Sequence, residues 1–399
     1  RRPYEAYDYN ILHETFNYGI GAQYMINKGN YITADCYADH FSSSYCFFKD
    51  NKTYNGKAGE EQVRKRTRNH NLSIKGIFKL GNRHKLSVGT EYIVDVLKSQ
   101  TDNIAKEDAY TLALFAQDEI KLLRNLQALI GVRYIYHENF KNHATPNVAL
   151  MYKPGKFNFR ASYAAGFRTP TLSELYATDI AKKNDRLTIG NLDLKPEKND
   201  YFSLSAEYVH ERFSVSVNAF YNNIRDMIDY NTIATGDKAM EQYGHKEVRQ
   251  RDNIAEAKVY GINVSANAYL GAGFNLSGGY THLNTQDVEL EQPIDKSIKN
   301  AYNINAQWAH SWKIYRLNIN LNGRINSKRF SKSYGYAPEY QLWDLNTRHS
   351  FNLKSVIIEP GCGMENLFDY MDDRPYNSNY ATLTPGRSFY ISLSLKFKS

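Results

Sequence analysis

Long apolar runs are what this chain most plainly lacks. None approaches the ~18–20 residues that a membrane helix needs, mean hydropathy is −0.61, and the first residues, RRPYEAYDYN, carry no apolar leader core. No membrane helix is therefore expected. A β-barrel stays open, because its signal is alternation over ~10-residue segments with a polar average. Cysteine is scarce as well: Cys36, Cys46 and Cys362 form neither an even disulfide framework nor a metal-ligand spacing. Cys36 and Cys362 sit on the apolar phase of their segments and read as small apolar residues, while a Cys36–Cys46 disulfide remains open. Linkers, composition breaks and low-complexity tracts are also missing, so the 399 residues read as one domain, 1–399. No phosphate-cradling glycine loop, nucleophile elbow or metal-protease helix occurs. The expectation is a non-enzyme with no covalently bound cofactor and no nucleic-acid partner.

What the chain does have is period-two alternation. In the last segment Phe389, Ile391, Leu393, Leu395 and Phe397 share one face, and Tyr390, Ser392, Ser394 and Lys396 the other. Segments 213–222 and 314–323 alternate in the same way. Marking such segments and their breakers predicts about seventeen strands. Their connections alternate in length. Short ones lie at 27–30, 81–84, 123–125, 154–156, 211–212, 271–273, 310–313 and 352–354. Long ones lie at 42–66, 97–108, 139–145, 167–199, 233–252, 285–297, 327–338 and 368–386. Tight turns at one rim and large loops at the other describe an all-β, transmembrane, up-and-down antiparallel β-barrel with short periplasmic turns. A propeller would show a blade repeat of ~40–45 residues, and none is present.

Parity adds a step. With seventeen antiparallel strands, the first and last would run in the same direction, whereas single-chain bacterial barrels have even strand numbers. An odd number of further strands before Arg1 is therefore expected.

The longest break in the alternation, residues 165–200, carries a resemblance. GFRTPTLSELY (166–176) resembles the "FRAP … LxELY" segment of TonB-dependent outer-membrane receptors, and GNLDLKPE (190–197) the "GNPxLKPE" segment that follows it. MENLFD (364–369) and PGRSFYISLSLKF (385–397) resemble the closing strands of that family. The matching loop residues are Phe167, Arg168, Pro170, Glu174, Tyr176, Asn191, Leu194, Pro196 and Glu197. The resemblance implies a 22-strand barrel with a plugged lumen. It places this chain at about 17 of those strands, N-terminally incomplete, with the plug and its TonB-contacting segment not in the sequence. It implies active import of a scarce bulky nutrient across the outer membrane of a Gram-negative bacterium, driven by the inner-membrane TonB–ExbB–ExbD complex. The two loop motifs are expected to form a structural clasp, with ATDIAKKNDRLTI (177–189) between them as the ligand-specific part. A passive porin and a surface barrel docking a lipoprotein or adhesin are the alternatives.

The cargo is less legible. Haem receptors of the family place a histidine between the two motifs, and 177–189 has none; other loop-side histidines are His40, His137, His143, His245 and His282. Tyr230, Tyr243, Tyr334, Tyr336, Tyr340, Tyr370, Tyr376 and Tyr380 lie in or beside long loops, where flat rings with polar tips grip large ligands. They suit a membrane-boundary girdle equally. Lys328, Arg329 and Lys332 form one basic rim and Lys246, Arg249 and Arg251 another. The net charge of +8 suits an anionic metal chelate as cargo and also contact with lipopolysaccharide. Candidate ligand contacts are Tyr334, Tyr336, Tyr243, Arg249, Arg251, Arg329 and His245, with no protein-bound metal expected. The residues place cobalamin first, then a ferric siderophore, then haem.

Overall fold

The computed structural model describes residues 8–52, 54–181, 185–331, 335–372 and 384–398. Two units are separable: one of Arg1–Ala149, Ala164–Asp200 and Ile224–Ala255, the other of Leu150–Tyr163, Tyr201–Asn223 and Glu256–Ser399. No helix is long and apolar enough to cross a membrane.

In the first unit β1 (Tyr9–Asn27), β2 (Asn30–Phe47), β3 (Glu61–Leu80), β4 (His84–Ser99), β5 (Ile104–Leu123), β6 (Leu126–His137) and β7 (Lys141–Tyr152) succeed one another. From β1 to β6 each strand pairs antiparallel with the next. The end of β8 (Phe157–Arg168) leads into α1 (Leu172–Tyr176), the strands β9 (Thr178–Ala181) and β10 (Arg186–Ile189), and the start of β11 (Glu197–Val209). The end of β12 (Phe213–Thr235), α2 (Gly236–Tyr243) and the start of β13 (Glu247–Gly271) complete this unit.

The second unit holds the remainder of β7, β8, β11, β12 and β13, followed by β14 (Phe274–Asp287), β15 (Asn300–Trp312) and β16 (Tyr315–Asn326). Then come β17 (Arg329–Ser331), β18 (Gly335–Ala337), β19 (Tyr340–Asn352), β20 (Val356–Glu365) and β21 (Ser388–Phe397). The long strands again pair antiparallel in chain order, and β17 and β18 form a separate ribbon.

The alternation sorts side chains into two chemically different faces in each unit. In the first, Ile20, Cys36, Leu72, Tyr92 and Leu112 stand in one cross-strand row, and Ile20 is 78% exposed. On the opposite face Asn69 Nδ2 donates to Asp95 Oδ1 at 2.8 Å and Asn71 Nδ2 to Glu91 Oε1 at 2.8 Å, with Arg133 paired to Glu91. In the second unit Ile391, Leu393 and Phe397 are exposed. The other face carries an asparagine ladder, with Asn305 Nδ2 donating to Asn320 Oδ1 at 2.7 Å and to Asn322 Oδ1 at 2.6 Å. Exposed apolar area on this scale is costly in water and favourable against hydrocarbon, so the solvent of the apolar face is lipid.

Several expectations need correction. Among the described residues seventeen strands are ten residues or longer, but four more of three or four residues (β9, β10, β17, β18) lie where loops were expected. The rim expected to carry only large loops is built partly by strand extension. β2 runs to Phe47 and β3 begins at Glu61, and the 97–108 and 139–145 connections shrink to residues 100–103 and 138–140. Cross-strand ladders persist there because each added residue pair gains hydrogen bonds at no extra closure cost. The Cys36–Cys46 bridge is excluded. All three cysteines are free, and two residues ten apart on one extended strand are separated by roughly 33 Å, against the ~7 Å limit for a disulfide.

Candidate functional site

Buried apolar side chains in contact with one another are found at Leu175, Leu194 and Ile228, with Phe140 and Tyr176 packed on them. Leu175, Tyr176 and Leu194 come from the 165–200 stretch, and local chemistry explains how that stretch reaches the cluster. Arg168 ends β8, and Pro170, buried, has no N–H to continue the ladder. Thr171 then opens α1 with a capping box: its Oγ1 accepts from the Glu174 amide at 3.2 Å, and Glu174 Oε2 accepts from the Thr171 amide at 2.8 Å. One helical turn delivers Leu175 to the cluster. After the β9–β10 hairpin the second motif returns. The Gly190 amide donates to Ala177 O at 2.6 Å and the Asn191 amide to Glu174 O at 3.1 Å. A Cβ on Gly190 would lie 2.4 Å from Leu175 O, so only glycine fits that approach. Asn191 Oδ1 accepts from the Asp193 amide at 2.9 Å, an Asx turn that turns the chain toward buried Leu194 and Pro196. Phe167 stacks on His143 with ring centroids 4.0 Å apart.

The two motifs are joined by charge. The Arg168 guanidinium donates from Nε to Glu197 Oε2 at 2.7 Å and from Nη1 to Glu174 Oε2 at 2.9 Å, with Nη2 serving the second oxygen of each carboxylate. Burial alone would raise the Glu174 carboxyl; Arg168 and the Thr171 donors outweigh it and hold it below its ordinary value. Arg168 itself is raised, chiefly by its hydrogen bonds to Glu197. Glu197 Oε1 also accepts from the Ile228 amide at 2.9 Å, bringing in β12. Asn253 of β13 closes the assembly. Its Oδ1 accepts from the Lys195 amide at 2.7 Å and its Nδ2 donates to Lys195 O and Asp226 O, at 2.8 and 2.6 Å. Arg168, Glu174, Glu197 and Asn253 thus fasten the two motif segments to each other and to β12 and β13. Asn253 was missed by the sequence reading, since it stands 58 positions from Lys195 in no motif.

The candidate ligand contacts divide. His245 Nδ1 meets Asp185 Oδ1 at 2.8 Å and the Lys246 amide donates to Asp185 O at 3.0 Å, so His245 ties α2 to the β9–β10 hairpin. That histidine holds the Asp185 carboxyl low. Arg249 is engaged by Glu247 at 2.5 Å, on the stretch of β13 that pairs parallel with β10. Arg251 lies with its guanidinium carbon 3.5 Å from the Tyr230 ring centroid and donates from Nη2 to Tyr230 Oη at 2.6 Å. Tyr243 is the half-exposed last residue of α2, before the left-handed Gly244 cap. These four residues and Tyr230 all lie in the first unit. In the other unit Tyr336 is 57% exposed, edge-on to Phe330 at 5.3 Å, and the neighbouring strand β17 carries Arg329, whose Nη2 is buried with no hydrogen-bond partner among the described residues. Tyr334, Lys332, Tyr376 and Tyr380 lie outside the described residues.

A further cluster was not anticipated. Tyr45 and Tyr54 pack edge to face at 5.1 Å, Tyr9 stacks on Tyr45 at 4.4 Å, and the Arg64 guanidinium lies 5.3 Å from both the Tyr45 and the Tyr54 ring centroids. Tyr45 shares the polar face of β2 with Asp35 and Asp39 by alternation. Tyr54 and Arg64 both fall within the single loop expected at 42–66, so their convergence carries no local signal.

The model of the TonB dependent receptor-like β-barrel family matches residues 1–367. The chain belongs to that family. Its setting is accordingly the outer membrane of a Gram-negative bacterium, crossed by strands. Among curated proteins the chain resembles the iron-regulated outer membrane virulence protein of Vibrio cholerae, 24% identical over 335 residues, covering 79% of this chain and 49% of that protein. The chain thus spans about half the length of the curated relatives it matches. Solved structures with the same fold include the ferric enterobactin receptor of Pseudomonas aeruginosa, at TM-score 0.78 and 18% identity over 97% of this chain and 62% of that one. Another is a siderophore receptor of Acinetobacter baumannii, at TM-score 0.74 and 16% identity, with 97% and 62% covered. The family and these neighbours are transport receptors.

Proposed function

We propose that the chain is the barrel portion of a TonB-dependent receptor that imports iron as a ferric siderophore, with the TonB complex as its energy source. The observation that carries this reading is the family match, joined to iron-regulated and siderophore-receptor relatives. Cobalamin, placed first by the residues alone, gives way to a siderophore. That ordering rested on the missing histidine and on neutral loop residues, whereas the structure sets two arginines on tyrosine rings, Arg251 on Tyr230 and Arg64 on Tyr45 and Tyr54. Cations beside flat rings suit an anionic, aromatic chelate better than a neutral corrinoid. The complete receptor would hold further strands, to 22, and a plug through which TonB acts.

Equilibrium binding to the purified complete receptor tests the cargo. Retention of a ferric catecholate chelate, with cyanocobalamin and haemin passing through, is expected. Retention of cyanocobalamin alone would overturn the reading.

A further inference from the structure

The connection between β6 and β7, residues 138–140, is held by a histidine from each strand. His137, the last residue of β6, is 7% exposed and accepts at Nδ1 from the Asn139 amide at 3.1 Å. A ring nitrogen that accepts carries no proton, so the neutral ring keeps its single proton on Nε2. His143 of β7 works in the opposite sense. Its Nε2 meets Phe140 O at 2.9 Å, and because a carbonyl only accepts, Nε2 is the nitrogen that bears the proton. The chain turns here through Lys141 at φ 58°, a left-handed conformation that residues with a Cβ disfavour. The turn delivers Phe140 to the Leu175–Leu194–Ile228 cluster, with the His137 ring 5.0 Å from its own.

Acid acts on the two histidines differently. A second proton on His143 goes to Nδ1, leaves the bond to Phe140 O in place, and sets a cation on the Phe167 ring, whose centroid is 4.0 Å away. A second proton on His137 goes to Nδ1 itself, where it faces the Asn139 N–H. Two donors then oppose each other, and the hydrogen bond that closes the turn is lost. Burial holds the His137 ring below its ordinary value, and His143 adds to the lowering, against the pull of the Asp95 and Glu138 carboxylates. Asp95 of β4 accepts from Asn69 Nδ2 at 2.8 Å, and Glu138 Oε2 accepts from the Tyr110 amide of β5 at 3.3 Å. Thr111, directly opposite on β5, and Phe140 carry no charge. Because the value is lowered in the closed turn, closure is complete above the open-state value of about 6.5 and weakens as pH falls below it.

We propose that His137 is a pH-sensitive latch at the loop rim: neutral, it closes the β6–β7 turn and seats Phe140 against the motif segments, and protonated, it releases both. His143 stays bound to Phe140 O and serves as the hinge. The latch acts on the turn alone. The motif segments keep their own fastening through Arg168, Glu174 and Glu197, where the Glu174 carboxyl is held low and titrates in a more acidic range. The rim is thus tight in a neutral medium and loosened in a mildly acidic one, whatever the cargo.

Hydrogen exchange of the complete receptor in detergent tests the latch, read on peptides covering 138–142 and corrected for the intrinsic pH dependence of exchange. Wild type, His137→Gln and a control at the short-turn rim, His84→Gln, are compared at about pH 7.5 and about pH 5.5, on either side of the ordinary histidine value. Glutamine at 137 still offers Oε1 to the Asn139 amide and does not titrate. One proton allows at most about tenfold per pH unit. Opening of 138–142 in wild type and in His84→Gln should therefore rise several-fold, up to about tenfold, while peptides covering 186–191 and the β15–β16 ladder hold their protection. His137→Gln should stay closed at both pH values. A wild-type rise of less than twofold, an equal rise in His137→Gln, or loss of the rise in His84→Gln would overturn the latch. If His137→Gln lacks the heat-modifiable gel mobility of a folded barrel, the wild-type profile decides. A midpoint between about pH 5 and about pH 6.5 supports the latch, and a midpoint outside that window overturns it.

Discussion

Replacing Arg168 with glutamine should open the clasp without unfolding the strands around it. The guanidinium makes four hydrogen bonds to Glu174 and Glu197. Those side chains are 14% and 16% exposed, against 42% for Arg168. A hydrogen bond to a charged group contributes roughly 1.5–3 kcal/mol net, and exposure of the arginine cuts that sharply. The loss also leaves two half-buried carboxylates facing each other. An overall cost of about 2–3 kcal/mol for local opening follows, or roughly 30- to 150-fold in the opening equilibrium. The amides of Gly190 and Asn191, which donate to Ala177 O and Glu174 O, report that opening by hydrogen exchange in the complete receptor. Their exchange should accelerate by that factor while amides of the β15–β16 ladder keep wild-type rates. Arg168→Lys should fall between, since a point charge cannot serve both carboxylates with a planar fork. Acceleration of less than twofold at Gly190 and Asn191 would refute the assignment of the ion cluster as the clasp's fastener.

Other perturbations act on the same object. Leu194→Ala empties part of the Leu175–Ile228 cluster, where Leu194 is 4% exposed, and should cost about 2–4 kcal/mol, visible as protease cleavage near residue 194. Gly190→Ala forces a Cβ to within 2.4 Å of Leu175 O, and should speed exchange at Asn191 as Arg168→Gln does. The pH response has a definite sign. Because the folded carboxyl of Glu174 is lowered, its contribution is complete above the unfolded value of about 4.3 and is lost as pH falls through the lower folded value. Peptic cleavage within 170–198 should rise steeply below about pH 4 and vary little above about pH 5. Among the proposed ligand contacts, Arg251→Ala should weaken ferric-chelate binding about tenfold or more, as the loss of a charged stacking partner predicts, whereas Arg249→Ala, already engaged by Glu247, should change it little.

How far the sequence carried the account depends on the range of the interactions. Period-two patterning is local, so Phe389, Ile391 and Leu393 announced their strand and its lipid face directly. Thr171 and Glu174 are three residues apart and equally legible as a capping box once a helix is allowed. The rims were harder: β9, β10, β17 and β18 have three or four residues each, too few for alternation to register. The clasp motifs were recognised, but their fastening was not. Asn253 and Ile228 reach Lys195 and Glu197 only after the chain has crossed twice more. His245 and Arg249 looked free by composition and are held by Asp185 and Glu247, one of them across 60 positions. Arg64 and Tyr54 converge only because β2 and β3 extend beyond the expected loop boundary.

The central claim is energised iron import, and uptake of radiolabelled ferric siderophore by cells carrying the complete receptor tests it most directly. Accumulation should be saturable and should vanish when TonB is deleted, with surface binding preserved. Equal accumulation with and without TonB, rising linearly with concentration, would mark a passive channel and contradict the account.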